Sequence, residues 1–176
     1  MSAEGTVGIK AFGRELPSGR DINLLATEAR HLLEEVAHYL DDDQVERFPD
    51  YFTADCTYQV ISRENYREGL PQAAIYCDGL TMVRDRVTAL RETQVYVPRQ
   101  WRHFISGVRV TVSDGDGFST SANFMVTEAM ADAEPTMLLV GQYLSDLVRV
   151  DGRLKFKRHL AIYDNYRIVR SLIVPV

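Results

Sequence analysis

Cysteine is scarce in this chain: Cys56 and Cys77 are the two among 176 residues, and neither sits in a CxxC pair. A disulfide framework and a thiolate metal site are both disfavoured, and reduced structural thiols in a cytoplasmic protein are the expectation. Positive charge is also short. Twenty Lys and Arg face 25 Asp and Glu for a net charge of −5, and the basic residues are scattered, so no nucleic-acid partner is expected. No apolar run approaches the roughly 20 residues that span a bilayer. The opening MSAEGTVGIKAFGRELPSGRD lacks the basic-then-apolar order of a signal peptide. No membrane partner is expected.

The chemistry-bearing motifs are missing as well. Gly115, Gly117 and Gly152 fall in hairpin turns and none opens a helix, so they do not form a phosphate loop. There is no GxSxG elbow and no nucleophile signature around either cysteine. A Rieske centre needs two Cys and two His, and neither cysteine has a histidine at ligand spacing. A mononuclear non-haem iron needs two His and a carboxylate converging on one point. His31 and His38 are two helical turns apart, and His103 and His159 are distant in sequence. No metal, cofactor or catalytic residue is therefore assigned to this chain.

What is present is the size of one domain, with hydrophobic residues at 45% and charged residues at 26%, ordinary globular values. Residues 1–20 are Gly-rich and aperiodic and read as a flexible arm, leaving 21–176 as the domain. From Asp21 to Leu40, Ile22, Leu25, Ala29, Leu32, Leu33, Val36, Ala37 and Leu40 recur at helical spacing. The triplet Asp41-Asp42-Asp43 suits a helix start better than a helix end. The first helix should thus stop near Leu40, and a short one, Gln44–Phe48, should stop before Pro49. Cys56–Ile61 reads as a short strand. Residues 62–78 read as a long loop, and a third helix starts at Asp78 or Thr81.

Four long strands should follow, bounded by Gly, Pro and Asp turns. The first sets Phe104, Val108, Val110 and Val112 on one face. In the second those residues are Phe118, Ala122, Phe124 and Val126. The turn Ala131–Pro135 leads to a third strand, Thr136–Val150. The fourth sets Leu154, Phe156, Leu160 and Ile162 against Lys155, Lys157 and His159. This order predicts an α+β domain: a curved antiparallel sheet capped by N-terminal helices into a cone, the nuclear-transport-factor-2-like (cystatin-like) architecture. A cone can hold acid–base chemistry, and Tyr39, Asp55, Tyr58, His103 and Tyr143 are its candidate players. The alternative for His103 is a structural histidine at the start of a strand.

The chain resembles the small (β) subunit of bacterial aromatic-ring-hydroxylating dioxygenases. The stretches that carry the resemblance are LDDDQVERFPDYFTADCTYQV, MVRDRVTALRE, YVPRQWRHFISGVRV and the terminal SLIVPV. RENYREGLPQAAIYCDG is most similar to the branch acting on anthranilate, salicylate, halobenzoate or terephthalate. The resemblance implies a non-catalytic, structural subunit in aromatic-compound catabolism. It also implies a large (α) subunit that holds a Rieske [2Fe–2S] centre and a mononuclear iron, in an α3β3 hexamer built on a small-subunit trimer. Arg91, Arg99, Trp101 and Arg102 form a basic and aromatic cluster suited to an interface. With His103, and with Tyr166 and Arg170 in the C-terminal stretch, they are the interface candidates. That stretch is apolar to its last residue and should be docked, either as an added strand of its own sheet or on another subunit. A stand-alone isomerase or dehydratase of the same fold, or a ligand-binding module, are the alternative readings.

Overall fold

The computed structural model describes residues 19–92, 99–112, 117–166, 168, 172 and 174–176. The apolar stripe of the first segment forms α1, Gly19–Asp41, and buries Ala29, Leu32, Leu33, Val36, Ala37 and Leu40. The helix runs through Leu40 to Asp41. Asp43 then takes a left-handed φ of 58°, and Gln44 N–H closes on Tyr39 O at 2.8 Å. A 3₁₀ helix, Val45–Tyr51, follows and contains Pro49. The proline does not end it as expected: it lacks only a donor, and its carbonyl still accepts from Phe52 N–H.

Strand β1 is Phe52–Ser62, longer at its start than the run of β-formers suggested. The presumed loop 62–78 holds two elements. Helix α2, Arg63–Glu68, is capped by Ser62 Oγ accepting from Asn65 N–H, and it ends on Gly69 at φ 65°. Its cap residues are visible in the sequence, but it buries no residue and so has no apolar period to betray it. Strand β2, Ile75–Asp78, buries Ile75 and Cys77. Helix α3, Leu80–Glu92, buries Val83, Val87 and Leu90.

Strands β3 (Arg99–Val112), β4 (Gly117–Met130), β5 (Ala133–Val150) and β6 (Arg153–Tyr163) make the meander. All six strands form one sheet in the order β2-β1-β6-β5-β4-β3. The β1–β6 pair is parallel and the others antiparallel, so the antiparallel meander is extended into a mixed sheet. The second hairpin turn, between β4 and β5, is only Ala131-Asp132. Pro135 sits inside β5, where the register slips between Glu128 and Met130 and a missing ladder donor is tolerated.

Bulges decide which residues face inward. A register shift between Ser106 and Arg109 is centred on Gly107, whose φ of 62° favours glycine. Upstream of it Trp101, His103 and Ile105 point into the core, and Phe104 points out, 53% exposed. Phe104 therefore does not share a face with Val108 and Val110. A second shift at Asp146/Leu147 puts both Phe156 and His159 inside. Leu160 and Ile162 then lie on the outer face with Ile61, Leu144 and Ala73. His159 is thus a core residue, 2% exposed, and not a partner of Lys155 and Lys157.

The C-terminal stretch adds no strand among the described residues. Val174 and Val176 are buried in the main core instead. Tyr58 Oη accepts from Val176 N–H at 2.9 Å and donates to Val176 O at 3.3 Å.

Candidate functional site

The end of α1 meets the inner face of the sheet at His103. A carboxylate at a helix C-terminus is disfavoured by the helix dipole, yet Asp41 turns into β3 and collects donors there. His103 Nδ1 lies 2.6 Å from Asp41 Oδ1. The backbone N–H of His103 donates to Oδ1 at 3.2 Å and Oδ2 at 3.1 Å, and Arg102 Nη1 stands 3.8 Å from Oδ2. The His103 and Asp41 side chains are 2% and 9% exposed. A carboxylate only accepts, so the ring proton sits on Nδ1 and Nε2 is left as an acceptor in the neutral imidazole. That Nε2 is buried without a hydrogen-bond partner. Asp41→Ala leaves both His103 donors unpaired, and the expected cost is about 2–3 kcal/mol, read from the urea midpoint of unfolding.

Around the pair the cone is lined by Leu33, Val36, Leu40, Ile105, Tyr143, His159 and Val176. Tyr143 stacks on Phe124 at 4.3 Å, and burial pushes its hydroxyl well above the usual phenol range. Tyr58 is likewise pushed up by burial. His159 donates to or accepts from Ser145 Oγ at 2.7 Å, and burial pushes its pKa down to about 3, so the ring is neutral. The space left among these side chains is ≈ 10 Å³, room for one water at most.

Of the five cone candidates, His103, Tyr58 and Tyr143 do lie in the core. Tyr39 lies outside the cavity, under the Arg47 guanidinium at 4.2 Å. Asp55 is exposed on β1, its carboxyl held below the usual range by a hydrogen bond from Thr53. The residue that sequence reasoning missed is Asp41. It was read only as a helix boundary, and no local pattern links it to a histidine 62 residues away.

The basic and aromatic cluster comes apart. Arg91 is spent within the chain on Asp43 at 2.9 Å and Glu46 at 2.5 Å, and holds the Glu46 carboxyl below its usual range. Arg99 forms a buried pair with Glu128 at 2.7 Å. Trp101 is 5% exposed in the core. Arg102 and Tyr166 stay at the surface, and Arg170 lies outside the described residues. The cysteine thiols are pushed up by burial, which makes them inert.

The outer face of the sheet carries what the inner one lacks: exposed apolar surface. Phe104 lies opposite Met125 and Met125 opposite Val140. In the next row Arg102 lies opposite Thr127 and Thr127 opposite Met137. Phe104 and Met137 are each 53% exposed. Among the described residues no three His, Cys, Asp or Glu side chains converge as metal ligands. Among the described residues no helix is long and apolar enough to cross a membrane.

A SnoaL-like domain matches residues 24–159. The chain is 33% identical over 138 residues to the small subunit of anthranilate 1,2-dioxygenase from Burkholderia cepacia, covering 78% of this chain and 86% of that one. It is 33% identical over 129 residues to subunit beta 1 of the terminal oxygenase component of terephthalate 1,2-dioxygenase from Comamonas sp., covering 73% and 84%. Among solved structures, a β subunit assigned to an aromatic-ring-hydroxylating dioxygenase of Novosphingobium aromaticivorans superposes with a TM-score of 0.79 at 33% identity, covering 88% of this chain and 98% of that one.

Proposed function

The chain belongs to the SnoaL-like family and, within it, to the small subunits of aromatic-ring-hydroxylating dioxygenases, and from that premise we propose that it is the non-catalytic structural subunit of such an oxygenase, working in the cytoplasm. Its large-subunit partner holds the Rieske cluster and the mononuclear iron. The small subunit holds the large subunits in place, in an α3β3 hexamer around a small-subunit trimer. The substrate is an aromatic acid of the anthranilate or terephthalate kind, selected by the large subunit.

The observation that carries this reading is the inversion of the usual enzyme layout. The cone, where a substrate would sit, is filled to ≈ 10 Å³. The apolar row Phe104, Met125 and Val140, with Met137 beside it, faces outward on the open side of the sheet. A contiguous outward apolar patch marks an interaction surface, and Arg102 at its rim suits an interface.

The test is co-expression with the large subunit of such an oxygenase. The double variant Phe104→Lys/Met137→Lys should fold with a stability within about 0.5 kcal/mol of the parent, as surface changes do, and should fail to assemble by analytical ultracentrifugation. Ring-hydroxylating activity should appear with the parent complex and vanish with the variant. An assembly that forms normally with both lysines in place would remove this face from the interface.

A further inference from the structure

Structural support does not explain the chemistry left inside the cone. His103 Nε2 is buried and unpartnered, its ring is fixed by Asp41 at 2.6 Å, and the wall it shares is aliphatic on the α1 side and aromatic at Tyr143. A single oriented acceptor at the end of an apolar slot is how a small-ligand site is built. Part of the lining belongs to the chain's own C-terminal stretch. Val176 lines the cavity, and its backbone is tied to the hydroxyl of Tyr58 by bonds of 2.9 and 3.3 Å. Val174 is buried in the same core.

We propose that the cone is a closed binding site for a small phenol, which displaces Val176 and donates its hydroxyl proton in a hydrogen bond to His103 Nε2. The ligand is a donor, because Asp41 holds the Nδ1 side of the ring and an imidazole with its one proton there offers Nε2 only as an acceptor. It must be planar and compact, because it replaces side chains packed between α1 and the sheet. It carries no net charge, because the slot offers no counter-ion: Asp41 is already engaged by His103 and Arg102, and His159 is buried and neutral. Binding and plug release are then one equilibrium, and the apparent affinity is lowered by the fraction of time the plug is in place.

The probe is phenol, with benzene as the control, titrated into the full chain labelled with ¹⁵N at histidine and ¹³C at valine methyls. Phenol should shift the His103 Nε2 resonance together with the Val176 methyls, and benzene should bind at least tenfold more weakly. Tyr58→Phe keeps the core volume, removes the two bonds that hold Val176, and should tighten phenol binding about tenfold, the worth of one or two neutral hydrogen bonds. His103→Leu should abolish the preference for phenol over benzene. The proposal is overturned if phenol leaves the His103 resonance unmoved, or if phenol and benzene bind alike to the unmodified chain. Should Tyr58→Phe fail to fold, that comparison on the unmodified chain decides alone.

Discussion

Lowering the pH from 6.5 toward 3 is expected to weaken the fold by up to about 5 kcal/mol through His159 alone, the value of three and a half pH units at about 1.4 kcal/mol each. Burial pushes the folded-state pKa of this ring from 6.5 down to about 3, because the ring is cut off from the water that would solvate its charge. Its neighbours are the rings of Phe52, Tyr58, Tyr143 and Phe156 and the hydroxyl of Ser145. In the unfolded chain the same histidine charges freely below its ordinary value. The unfolded state therefore binds more protons throughout this window, so stability rises with pH across it and is lost as pH falls from 6.5, levelling off below about 3. Glu46 and Asp55 add a separate loss, because their carboxyls lie below ordinary values of 4.5 and 3.8, but theirs starts only at more acid pH. The diagnostic range is thus 6.5 to 4.5. Urea midpoints there should slope steeply for the parent and be nearly flat for His159→Gln. Equal slopes would show that the imidazole is protonated in the folded core.

How much of this could be read from the sequence turns on parity. Where a strand runs unbroken, alternation gives the correct face, as in β4, whose Phe118, Ala122, Phe124 and Val126 are all inside. Even there it did not single out Thr120 and Glu128, which share the buried face, because a polar residue in an alternating run is indistinguishable from a turn signal or a solvent position. Where a bulge inserts one residue, every assignment on one side of it inverts. A glycine inside an alternating run can mark a bulge, yet alternation reads straight through Gly107 and puts Phe104 with Val108 and Val110. The slip near Leu147 carries no such mark, and His159 was placed in water for that reason. The same inversion hid Phe104, which carries the interface reading, among core residues. The Asp41–His103 contact was illegible for another reason: it joins a helix end to a distant strand, and sequence carries no local trace of such a pairing. The cone itself was legible, since helices that come first and four long strands that come last leave few other ways to bury both.

Arg99→Ala is expected to cost the chain about 3–5 kcal/mol, a drop of about 10 °C or more in Tm for a domain of this size. Arg99 Nη1 and Glu128 Oε1 are 2.7 Å apart with side chains only 11% and 1% exposed. Removing the guanidinium takes away a cation that stands 2.7 Å from a buried carboxylate. The pair as a whole is another matter. Bringing both charges out of water costs several kcal/mol that their attraction roughly recovers, so Arg99→Met/Glu128→Leu should lie within about 1–2 kcal/mol of the parent or exceed it, although the single change does not. The cycle also separates two roles for Arg99. An arginine anchored on a neighbouring subunit would, when truncated, spare the isolated chain and weaken assembly. An arginine spent on Glu128 does the reverse, and the double variant, refolded with its charges gone, should assemble with the large subunit as the parent does. Thermal unfolding of the isolated chain and sedimentation of the complex, measured on the same three variants, distinguish them. A stable Arg99→Ala chain that no longer assembles would place the side chain at the subunit boundary.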